Sequence, residues 1–216
     1  MADTILDYIY NAILGICALL ALFRFKSVNK AFRFLCLYIL YGLTTEILWY
    51  YSSIILGNNY FLSNLYSYVT LFLLACFFYL NHKSPNGKKV IITVFVLLFS
   101  LLALNIFAFP TFRNAHQYNV KLISGFLIII LSLYSIYRQV LRDSNAAIYR
   151  YSVFWVAALF VLYKFIDLWS RAAYYYPFRE HTETVWGYFH STIMGNNIVL
   201  YAGLCIVLWL YPKMKQ

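Results

Sequence analysis

Seven stretches of the chain, at about 5-23, 34-56, 60-80, 90-109, 118-138, 149-170 and 186-210, are long and dominated by apolar side chains. Crossing the roughly 30 Å hydrocarbon core of a bilayer takes about 20 residues of helix at about 1.5 Å each, so every stretch is a candidate span. Runs of this length without period-two alternation exclude the strands of a membrane barrel. They predict an all-α polytopic membrane protein, one transmembrane domain over 1–216 folded as a seven-transmembrane-helix bundle. Composition agrees: 63% of the 216 residues are hydrophobic and only 11% are charged, whereas a soluble domain carries about 25% charged residues to keep its surface wetted. A soluble globular protein, a disordered chain and a disulfide-stapled module are thereby excluded.

The formal charge is +10, and its distribution predicts which way the spans run. Arg24, Lys26, Lys30, Arg33, Lys83, Lys88, Lys89, Arg138, Arg142, Arg150, Lys213 and Lys215 fall on one side of the expected spans, against Asp143 alone among the acids. On the other side Arg113, Lys121, Arg171 and Arg179 are balanced by Asp3, Asp7, Glu180 and Glu183. Short loops rich in Lys and Arg stay in the cytoplasm, which puts the N-terminus outside and the C-terminus inside. A bacterial inner (plasma) membrane is the expected location. The basic rim suits anionic membrane lipid and an acidic cytoplasmic protein partner. Bases scattered in short clusters, with no polar domain to gather them, disfavour nucleic acid. Asp3 and Asp7 stand where a secretory signal needs basic residues, so the first span is expected to remain in the mature protein.

Given that orientation, polarity inside the spans is one-sided. The outer halves hold Thr44, Thr45, Glu46, Asn64, Ser67, Asn105, Lys121, Ser124, Lys164, Asp167, His190, Asn196 and Asn197, while the inner halves are nearly all apolar apart from Thr93, Ser132, Ser135, Ser152 and cysteines. A charged side chain at mid-membrane costs about 2.5–3.5 kcal/mol on insertion scales and therefore faces the bundle interior with a partner. Lys164 and Asp167 are three apart and Asp167 and Arg171 four apart, so one helix face carries base, acid, base. Glu46 is expected at a depth where it meets Lys164. His190 and Asn197, seven apart, share a face of the last span. Glu46, Lys164, Asp167, His190, Asn197, Asn64 and Asn105 are thus the candidate ligand contacts. The same residues read equally well as a structural ion-pair network with interhelical hydrogen bonds, and His190 alone more readily as a structural residue than a ligand contact. Cys17, Cys36, Cys76 and Cys205 lie inside apolar runs, without metal or redox spacing, and read as packing residues. No cofactor or metal is expected.

Named chemistries with a seven-helix, N-outside plan require residues that are absent. The retinal lysine of microbial rhodopsins belongs in the last span, which here has none. Seven-helix zinc hydrolases need an HxxxH pair there, and only His190 is present; carriers of the SWEET and PQ-loop type need proline hinges and a PQ pair. No intramembrane-protease motif is present, and no GxxxG favours a close helix dimer. The stretch from Phe23-Arg24-Phe25-Lys26 to Phe34, the Thr45-Glu46 pair and Asn64-Leu65-Tyr66 resemble small uncharacterised bacterial seven-helix membrane proteins over roughly the first 80 residues. That resemblance implies a structural class and no activity. The expectation is a non-enzymatic membrane protein, a receptor-like or regulatory module with an outward-facing polar cavity for a small ligand or partner. The alternatives are a transporter or channel, or an accessory membrane subunit of a bacterial defence or CRISPR system.

Overall fold

The computed structural model describes residues 2–56, 60–82, 84–108, 118–142, 150–175 and 183–211. Among them are seven helices and no β-strand: α1 (Ala2–Arg24), α2 (Lys30–Leu56), α3 (Tyr60–Asn81), α4 (Pro85–Ala108), α5 (Tyr118–Arg142), α6 (Ser152–Tyr175) and α7 (Glu183–Leu210). Six of them, all but α4, contain a described stretch long and apolar enough to cross a bilayer. For α4 the expected span at about 90–109 lies partly outside the residues whose side chains are described.

The helices begin earlier than the apolar stretches at two basic segments. Asn29 Oδ1 accepts a hydrogen bond from the Phe32 N–H at 2.9 Å, capping α2. Ser84 Oγ accepts one from the Gly87 N–H at 3.2 Å, and Pro85 follows as the first residue of α4, where its missing N–H costs nothing. Lys30 and Arg33, and likewise Lys88 and Lys89, expected as bases between spans, therefore stand in the first turns of helices. Hydropathy marks the hydrocarbon boundary, whereas a helix with a good cap continues past it.

The chain divides into two compact units, Met1–Leu20 with Ser132–Gln216, and Ala21–Leu131. In the first, Leu159 on α6 packs on Gly203 of α7, and the Asn196 amide of α7 donates to the Tyr163 carbonyl of α6 at 2.9 Å. Ascending one helix descends the other, so α6 and α7 are antiparallel. Asp7 meets His190 and Tyr10 meets Tyr201, with ring centroids 6.0 Å apart, so α1 runs parallel to α7. In the second unit Tyr41 stacks on Tyr66 at 5.7 Å and Phe32 meets Phe77 at 5.3 Å, which makes α2 and α3 antiparallel. Phe72 and Phe95 lie 5.8 Å apart and Lys88 sits over the Tyr79 ring, so α4 reverses again. Reversal between α2 and α3, between α3 and α4 and between α6 and α7 is what consecutive spans require.

Each helix buries one apolar stripe and exposes another. On α1 Tyr10, Leu14, Cys17 and Ala18 are buried at three- and four-residue spacing, while Ile5, Ile9, Ile16 and Leu19 are exposed. On α5 the exposed face is Ile123, Phe126, Ile130, Leu133 and Leu141. A protein bathed in water does not leave apolar faces of this extent bare; hydrocarbon is the solvent that suits them.

Candidate functional site

Most of the hydroxyls that make the expected outer halves polar are used up inside their own helices. Thr44 donates to the Leu40 carbonyl, Thr45 to Tyr41, Ser67 to Ser63, Thr70 to Tyr66, Ser124 to Lys121 and Thr192 to Tyr188, at 2.7–3.3 Å. Such bonds to the preceding turn hide a hydroxyl in an apolar medium. These residues need no cavity to account for them.

The ionic residues of α6 are different. Its buried stripe, Val153, Val156, Ala157 and Phe160, continues at the same spacing through Lys164, Asp167, Leu168 and Arg171. An inward face that is greasy for its first half turns ionic for its second. The Asp167 side chain is 9% exposed and divides its two oxygens: Oδ1 accepts from Arg171 Nε at 2.8 Å, and Oδ2 faces Lys164 Nζ at 3.6 Å. The Lys164 ammonium also lies 4.8 Å from the centroid of the Tyr163 ring. With both bases protonated the trio carries one surplus positive charge.

α7 supplies the second wall. Asn196, 6% exposed, spends its amide group on the Tyr163 carbonyl, and its Oδ1, fully enclosed, has no hydrogen-bond partner among the described residues. An enclosed acceptor left unpaired costs about 1–3 kcal/mol, which a structural role alone would not ask for. Because α6 and α7 are antiparallel, one helical turn or two towards the start of α7 brings His190 level with the end of α6 that holds Arg171. There His190 Nε2 lies 3.1 Å from Asp7 Oδ1, tying α7 to α1. Beyond this cluster the described residues that α1, α6 and α7 bury are mostly apolar over several turns, among them Leu14, Cys17, Phe160, Leu200 and Leu204.

Lys164, Asp167 and His190 therefore belong to one end of one unit. Asn197 is half-buried, and the bond to α6 is made by its neighbour Asn196. Glu46, half-buried on α2, and Asn64, fully enclosed on α3, belong to the other unit. The Asn105 side chain lies outside the described residues. Sequence reasoning gave Asp7 only a place in the charge balance, although an acid near the start of α1 and a histidine near the start of α7 are brought together by parallel packing alone. Of the basic rim, Arg24, Lys26, Lys30, Arg33, Lys88, Lys89 and Arg138 are described, whereas Lys83 and the Arg142 side chain fall outside the described residues.

The residues expected to relieve an apolar inner half are also placed. Ser132 and Ser135 are buried on α5 and Ser152 at the start of α6; Ser132 and Ser152 have 0% exposure, and neither hydroxyl has a partner among the described residues. Gln139 continues the Ser132–Ser135 face, and its Oε1 is enclosed without a partner as well.

Fold and site together describe a helical protein with the architecture of membrane spans. No protein-family model, curated protein or solved structure matches the chain.

Proposed function

We propose that the chain is an integral protein of a bacterial inner membrane, N-terminus outside, that acts without catalysis as a receptor-like or regulatory module. Its ligand site is the cluster of Lys164, Asp167, Arg171, Asn196, His190 and Asp7. The observation that carries this reading is the enclosed, unpaired Asn196 Oδ1 beside a buried trio with more base than acid. A small molecule with an anionic group and a hydrogen-bond donor complements that pair of features. Apolar packing beyond the cluster supports a receptor rather than a through passage. Such a module passes its signal to a cytoplasmic protein through the basic rim.

The test is thermal unfolding of the detergent-purified chain against a panel of small carboxylates, phosphates and amino acids. Any compound that stabilises the chain should lose its effect in Lys164→Met and in Asn196→Leu. Retention of the effect in both variants removes the ligand from this cluster.

A second reading, a transporter or channel, is favoured by one observation. One face of α5 carries Ser132, Ser135 and Gln139 on its second half, opposite a face of exposed Ile, Phe and Leu. A polar stripe of that kind is how a helix lines a path. Solute flux into proteoliposomes that falls in Ser132→Val and Ser135→Val would replace the receptor reading with this one.

A further inference from the structure

The second unit has a cleft at the opposite end of its helices from Glu46. Its walls are Phe25, which precedes α2; Lys30, Arg33, Phe34 and Leu37 on the first turns of α2; and Cys76, Tyr79 and Leu80 on the last turns of α3. It encloses about 550 Å³. A smaller hollow of about 150 Å³, walled by Phe72, Ala75, Ile91, Ile92 and Phe95, shares Cys76 and Tyr79 with it. The two therefore flank the same edge of α3, one with two bases on its wall and the other with no charged side chain.

The charge at this place is left over. Lys30 and Arg33 are exposed and sit in the first turn or so of α2, where the helix dipole already presents its positive end. Lys88, in the first turn of α4, reaches over the Tyr79 ring at 5.2 Å and adds a third base. From residue 24 to residue 89 the chain has a single acid, Glu46, which lies thirteen residues beyond Arg33 on the same helix, about 20 Å away. Three bases and two helix N-termini thus converge without a carboxylate from their own segment. The apolar walls are open at the side as well: Leu37, Phe72, Leu80 and Ile92 are each 38–47% exposed.

We propose that this cleft binds an anionic diacyl phospholipid. Its phosphate lies between Lys30 and Arg33 with Lys88 beside them, one acyl chain runs along Leu37 and Leu80, and the other enters the hollow between α3 and α4. Charge complementarity selects the headgroup, and paired apolar grooves opening sideways into hydrocarbon select a lipid over a soluble anion. General attraction of a basic rim to a charged leaflet would not single out these residues among the bases nearby. The site stands independently of the ligand cluster between α6 and α7.

The full chain in maltoside detergent, titrated with dioleoylphosphatidylglycerol or dioleoylphosphatidylcholine and followed by native mass spectrometry and thermal unfolding, tests this. Phosphatidylglycerol should bind at least tenfold more tightly, and added salt should narrow the gap. Each basic residue near a charged headgroup is worth about a fivefold change in affinity, so Lys30→Gln with Arg33→Gln should weaken phosphatidylglycerol binding on the order of 25-fold. Lys26→Gln with Lys89→Gln, which removes the same charge from residues that do not line the cleft, should change it less than about threefold. Leu37→Trp, which fills the groove and leaves every charge in place, should weaken binding of the lipid. Equal binding of the two lipids, equal losses in the two double variants, or stabilisation by inorganic phosphate matching that by the lipid would each overturn the proposal.

Discussion

Asp167 serves two bases with one carboxylate, and the two contacts are unequal. The Arg171 hydrogen bond at 2.8 Å is short and direct, while Lys164 stands 3.6 Å off and leans on an aromatic ring. Removing the acid strands two bases in a low-dielectric interior, whereas removing Lys164 leaves the stronger pair intact. Asp167→Asn should therefore cost roughly 2–4 kcal/mol of unfolding free energy, and Lys164→Met about 1 kcal/mol or less. Unfolding in mixed micelles measures both, and equal losses would mean that the Arg171 bond does not anchor the trio. The base-acid-base face was legible in the sequence because i,i+3 and i,i+4 spacing fixes it within one helix. The contacts from α7 and α1 were not, since a histidine–aspartate pair 183 residues apart and the choice of Asn196 over Asn197 depend on how helices are rotated against each other. Counting polar residues by half-span cannot tell a serine that bonds its own helix, as Ser67 and Ser124 do, from one that faces a ligand.

At the scale of elements, the α6–α7 contact depends on a missing side chain. A Cβ on Gly203 would lie 2.5 Å from Leu159 Cδ2 and 2.8 Å from its Cδ1, whereas a Cβ on Gly15 or Gly195 would meet nothing within 4 Å. Gly203→Ala should destabilise the chain by about 1–2 kcal/mol, with part of the loss recovered by Leu159→Ala in the same chain. Gly15→Ala and Gly195→Ala should stay within about 0.5 kcal/mol, since surface-like positions without close neighbours tolerate change. A thermal-denaturation series over these four variants checks the contrast. Number, order and helical type of the elements followed from hydropathy, because a bilayer imposes one length on everything that crosses it. Helix starts did not: at Asn29 and Ser84 the capping side chain, and not the end of the apolar run, sets the first residue. Asn29 and Ser84 are capping residue types in the sequence itself, but the bases beside them mark the same segments as polar breaks, and hydropathy follows the break and not the cap.

For the molecule as a whole, the proposed orientation makes a claim about sides that the helix directions within each unit do not themselves decide. Reporter fusions at the C-terminus should be active for a cytoplasmic reporter and inactive for one that folds only outside, and an N-terminal fusion should show the reverse; the opposite pattern would put the basic rim on the wrong side. The spans are also uneven in length. Ile5–Arg24 offers 20 residues and Lys30–Ile55 offers 26, while α7 with 28 helical residues reaches about 42 Å. Any helix longer than the hydrocarbon layer adjusts by tilting, but a short one has nothing to spare. Asp7 stands in the second turn of α1, against His190. In a bilayer of the proposed orientation, thickening would draw that carboxylate towards hydrocarbon and tighten its hold on His190, and thinning would release it into the headgroups. Bilayer thickness would in this way become a mechanical input to the contact between the first helix and the last.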